Sequence, residues 1–64
     1  MSSDQIKQTA LSLIAQYGED AETIAVLRAA EYAAMGDQAT LAEWDEIIAA
    51  IAAFHSGSND TPLN

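Results

Sequence analysis

Apolar residues recur at helical intervals in three successive stretches of this chain, and each stretch is followed by a glycine. In the first, Ile6, Ala10, Leu13, Ile14 and Tyr17 fall within one sector at about 100° per residue, with Leu11 on its flank. This spacing predicts an amphipathic helix over 3–17 with one buried face. In the second, Ile24, Ala25, Tyr32 and Met35 share one face while Val26, Ala30, Ala33 and Ala34 form another. The predicted helix, 20–35, is thus apolar around much of its circumference, as expected of a helix contacted from two sides in the middle of the packing. The third stretch carries the richest stripe, Leu41, Trp44, Ile47, Ile48, Ile51 and Phe54, and predicts a helix over 40–55 as the main core contributor.

Boundary signals agree with this division. Ser2 and Gln5 have capping-box spacing, and Glu19-Asp20 suits a helix start. Thr40 and Glu43 repeat the capping-box spacing and make Thr40 the expected N-cap, with Asp37 as an alternative start one turn earlier. Gly18, Gly36 and Gly57 stand where a left-handed residue would close each helix. The run 56–64 has no periodicity and reads as a flexible tail. The sequence therefore predicts an all-α fold, a small three-helix up-down-up bundle in a single domain 1–55, with the tail 56–64 outside it. Short turns make successive helices antiparallel, so the starts of the first and third share an end with the close of the second.

Size and charge narrow the functions open to such a bundle. A chain of 64 residues is near the lower edge of what one hydrophobic core stabilises, and without cysteine no disulfide supplements that core. The first residues lack a secretory pattern, and no apolar run approaches the roughly 18 residues a membrane span requires, so a cytoplasmic location is expected. Ten acidic residues against two basic ones give a net charge of −8, which opposes direct contact with nucleic acid or anionic membranes. Asp4, Asp20, Glu22, Glu43, Asp45 and Glu46 lie in or near first helical turns, where carboxylates offset the helix dipole. In the up-down-up arrangement Asp4, Asp37, Glu43, Asp45 and Glu46 gather into an acidic pole. Arg28 falls in the middle of the apolar sector of the second helix, a costly place for an unpaired charge. Pairing with Glu31, stacking on Tyr32, spanning to a carboxylate of the third helix, and snorkelling to solvent are all open to it. Asp37, Glu43, Asp45, Glu46 and Arg28 are the candidate interaction residues.

Reactive chemistry is not visible in the pattern. His55 is the only histidine, and the Glu-x-x-His spacing of di-iron bundles is absent because Ala52 stands three residues before it. Glu43 and Glu46 have no EF-hand spacing around them, no serine or threonine has a histidine base with an orienting carboxylate, and the glycines read as helix stops. No catalytic, cofactor-binding or metal-binding residue is assigned, and no enzymatic activity is expected. Alanine faces, Ala30, Ala33 and Ala34 on the second helix and Ala42, Ala49 and Ala53 on the third, allow close approach of another helix, so self-association is an expectation alongside binding of a protein partner. The leading reading is a non-catalytic, acidic protein–protein interaction or regulatory module. The alternative is a nucleic-acid-mimicking inhibitor, a phage-borne antagonist such as an anti-CRISPR, of a basic nucleic-acid-binding partner. Carboxylates spaced along one face would favour the alternative.

From Ala10 to Phe54, the residues Gly18-Glu19-Asp20-Ala21, Arg28-Ala29, Gly36-Asp37, Trp44 and Ile47-Ile48-Ala49-Ala50-Ile51 follow an order that resembles a set of short, uncharacterised alphaproteobacterial helical proteins. The resemblance implies a bacterial or phage source and supplies no activity, ligand or site. The helix-Gly-Asp-helix stretch is also similar to half of a tetratricopeptide unit, without its 34-residue repeat.

Overall fold

The computed structural model describes residues 1–59, of which all but Met1, Ser2, Gly36 and Asp37 are helical. The first helix, α1, spans Ser3–Tyr17. Its capping box forms as the sequence suggests: the Ser2 hydroxyl accepts from the Gln5 N–H at 3.2 Å, and Gln5 Oε1 accepts from the Ser2 N–H at 3.0 Å. At Gly18 the backbone turns to φ 59°, ψ −124°, and a 3-10 turn over Gly18–Asp20 leads directly into α2, Ala21–Met35. No coil residue separates them, so the chain has two unbroken helical stretches, 3–35 and 38–59, where three separate helices were expected. The helix expected from residue 20 begins at Ala21, because Asp20 still belongs to the 3-10 turn.

The break between the two stretches is a Schellman motif. Gly36 is left-handed at φ 76°, its N–H donates to the Ala33 carbonyl at 3.1 Å, and the Asp37 N–H donates to the Tyr32 carbonyl at 3.0 Å. Asp37 then caps α3, Gln38–Asn59, its Oδ1 accepting from the Thr40 N–H at 3.2 Å. Thr40 is therefore the third residue of the helix and not its N-cap. At the far end α3 runs through Gly57, which lacks the positive φ seen at Gly18 and Gly36, and extends four residues past the expected end at His55. Glycine stops a helix where the chain needs a left-handed residue, and nothing at Gly57 demands one. Of the stretch assigned to a tail, 56–59 is helical and 60–64 lies outside the described residues.

Large and small residues divide the core between them. Ile47 and Ile51 of α3 are fully buried, packed with Ile6 and Ala10 of α1 and with Ala21 and Ala25 of α2. Leu13, Ile14, Trp44, Ile48 and Ala50 pack partly buried around them. The inward face of α2 is Ala21, Ala25 and Ala29, a strict i, i+4, i+8 series. Of its larger apolar side chains, Val26, Leu27 and Met35 are exposed, while Ile24 and Tyr32 are partly buried. Two expectations are corrected by this arrangement. The central element is α3, which packs on both α2 and α1 more extensively than those two pack on each other. Tyr17 and Phe54, both expected in the core, are exposed.

Candidate interaction surface

The start of α3 joins all parts of the fold. The Schellman turn and the Asp37 cap fix its first turn, the Tyr32 and Trp44 rings stack across that turn with centroids 6.4 Å apart, and the Met1 ammonium donates to Glu43 Oε2 at 2.8 Å. The hydrogen bond and negative charge of Glu43, with a smaller contribution from Glu46, raise the ammonium pKa above its ordinary value of 8.0 against a modest desolvation penalty. The beginning of α1 is thereby held beside the beginning of α3.

Four of the five candidate residues lie here, but α3 has no carboxylate in its first turn: Asp37 precedes it as the cap, and Glu43, Asp45 and Glu46 fall in its second and third turns, beyond the first-turn position expected of them. Asp37 spends one carboxylate oxygen on the cap, Glu43 is half-buried under the ammonium, and Asp45 and Glu46 are exposed. Asp4 is exposed in the first turn of α1. Arg28 stands apart on α2, with its side chain 53% exposed and a guanidinium nitrogen 3.5 Å from Glu31 Oε1. The expectation that it sits among apolar neighbours is corrected. The buried sector centres on Ala25, about 60° around the helix from Arg28 at 100° per residue, which leaves the guanidinium in solvent beside its i+3 carboxylate. A second acidic group, Glu19 and Asp20 on the 3-10 turn with Glu22 in the first turn of α2, occupies the other end of that helix, roughly 22 Å away at 1.5 Å per residue.

Two concavities flank α1 that the apolar pattern did not indicate. One, about 370 Å³, lies between α1 and α3 and is lined by Ser3, Ile6, Lys7, Ala50, Ala53 and Phe54. The other, about 220 Å³, lies between the end of α1 and α2 and is lined by Tyr17, Ile24, Leu27, Arg28 and Glu31. Tyr17, exposed at the end of α1, lines the second of them only. Among the described residues no three His, Cys, Asp or Glu side chains converge to hold a metal ion, no polar side chain is buried, and no helix is long and apolar enough to cross a membrane. Comparison of the chain with protein-family models, curated proteins and solved structures gives no match.

Proposed function

We propose that the chain is a non-catalytic, cytoplasmic protein-binding module whose acidic start of α3 engages a basic surface on a partner protein. The supporting observation is the pair Asp45 and Glu46, exposed on a segment held by a helix cap, a ring stack and the Met1–Glu43 ion pair. Side chains on a segment tied down at three points lose little freedom on binding, so their charge contributes to association rather than to ordering. Of the two basic side chains in the sequence, Arg28 is already beside Glu31, so the surface potential is set almost entirely by carboxylates. In this reading the helices act as three packed legs in an up-down-up arrangement that brings the starts of α1 and α3 together. Nucleic-acid mimicry has less support, because the carboxylates cluster at the two ends of α2 and do not follow one face.

The experiment is affinity capture of the tagged chain from its native host, with mass spectrometry of the bound proteins at low and high salt. A basic protein enriched at low salt and released at high salt is expected. Absence of any enriched partner counts against the module.

A further inference from the structure

We infer that Gly18 is a hinge at which α1 opens away from its own chain, so that two copies exchange α1 and pair through the interface each already contains. The chain passes from α1 into α2 with no coil residue between them, through the 3-10 turn Gly18–Asp20. Tyr17, Asp20 and Ala21 already lie in the right-handed helical region, so Gly18 makes the bend. At φ 59°, ψ −124° it holds a conformation that residues with a Cβ rarely adopt. Its return to helical geometry joins α1 and α2 into one helix over 3–35, about 50 Å long at 1.5 Å per residue.

The other break in the chain is held far more firmly. Between α2 and α3 the Schellman bonds, the Asp37 cap and the Tyr32–Trp44 stack fix the Gly36–Asp37 turn, and these two helices share the most extensive packing in the molecule. They move as one hairpin. α1 packs more extensively on α3 than on α2, its neighbour in sequence, and it seals the core by laying Ile6 and Ala10 against Ile47 and Ile51. An open chain leaves the two isoleucines in water, and what covers them again is the same face of α1, from its own chain or from a second one. Occupant and register are therefore those of the observed α1 interface. Glu19, Asp20 and Glu22 oppose the exchange. In the closed chain they stand at the start of α2, where carboxylates offset the helix dipole. In the exchanged pair that start is gone, and the end of each α1 lies beside its partner's residues 19–22, which brings the two carboxylate groups together. Salt screens their repulsion, so the exchanged dimer grows as salt rises, opposite to the binding of a basic partner. It needs neither Asp45 nor Glu46, so either reading can fail without the other.

The test is light scattering of the wild type and of G18A at low and high salt, with a cross-link that reports which chain α1 packs on. The Cβ that G18A adds meets no atom within 4 Å, so the substitution acts through the backbone alone, strained at φ 59° and at ease in a helix. G18A keeps the helical circular dichroism and dimerises at a concentration about tenfold or more below that of the wild type. Ser3 and Ala53 are exposed and line the hollow between α1 and α3, so in S3C/A53C a bismaleimide long enough to span that hollow joins the two helices. In the exchanged dimer it links two chains and in the closed monomer one, which a denaturing gel separates. A one-chain mass for folded G18A overturns the inference. Where G18A does not fold, a one-chain mass for the wild type at high salt and about 1 mM, the weak end of measurable affinity, overturns it. So does a dimer whose cross-links stay within single chains.

Discussion

Tyr32, in the last turn of α2, stacks on Trp44 of α3, the ring planes inclined by 21° and the centroids 6.4 Å apart. The stack bridges the Gly36–Asp37 break, adding a side-chain contact between the two helical stretches to the backbone bonds and the Asp37 cap at the turn. Offset aromatic pairs contribute about 0.5–1.5 kcal/mol beyond the area they bury. A double-mutant cycle of Tyr32→Leu and Trp44→Leu, measured by urea denaturation, should give a coupling energy in that range.

Close packing against the alanines of α2 makes their size matter more than their hydrophobicity. Ala25 is fully buried against the isoleucines of α3, whereas Ala15 is exposed on α1. Ala25→Leu should destabilise the fold by about 1–3 kcal/mol through overpacking, and Ala15→Leu should leave the denaturation midpoint nearly unchanged. Equal effects would mean that α2 does not turn its alanines inward.

Helix boundaries give a prediction in both directions. Asp37→Ala removes the cap of α3 and should cost about 0.5–2 kcal/mol, with Asp37→Asn retaining most of the stability. Gly57→Ala, inside α3 with open space around its Cα, should stabilise by about 0.5–1 kcal/mol. Gly36→Ala, at φ 76°, should instead destabilise by about 1–2 kcal/mol. Thermal melts of the two glycine variants separate interior glycine from turn glycine.

Alkaline pH weakens the tie between Met1 and Glu43. The ammonium pKa is raised in the folded state by the Glu43 hydrogen bond first and its charge second, so this contribution is complete below the unfolded value and is lost as pH rises through the folded one. The melting temperature of the chain with a free Met1 amine should fall as pH is taken above 8, and the fall should be smaller in Glu43→Gln. Two partners on the surface make the effect modest.

The sequence showed where helices form more clearly than which way they face. Long apolar side chains marked the stripes of α1 and α3, and Ile6, Ala10, Ile47 and Ile51 are buried as their spacing implies. On α2 the face read from Ile24, Ala25, Tyr32 and Met35 was right in part: Ala25 is buried and Ile24 and Tyr32 are partly buried, but Met35 is exposed. The buried series Ala21, Ala25 and Ala29 is centred about 60° further round, because alanine is small enough for a close interface and gives no stripe that hydrophobicity alone would pick out. The 60° rotation is also why Arg28 was placed among apolar neighbours. Capping chemistry was legible at Ser2–Gln5, whose reciprocal bonds are local, but ambiguous between Asp37 and Thr40, because only the Gly36 turn decides which residue precedes the helix. The acidic segment of α3 could be read from charge and spacing, whereas its anchoring by Met1 depends on a contact 42 residues apart that no local pattern encodes.

The account stands on the acidic start of α3 acting as a binding surface, and parallel capture with the wild-type chain and an Asp45→Asn/Glu46→Gln variant tests it most directly. Both side chains are exposed and neither takes part in the cap or the stack, and Glu46 adds only the smallest of the charge attractions on the Met1 ammonium, so the variant should melt close to the wild type. The account predicts a basic protein recovered with the wild type and reduced by about tenfold or more with the variant, the loss of roughly 1.4 kcal/mol of binding energy. Equal recovery of the same partners by both chains would contradict it.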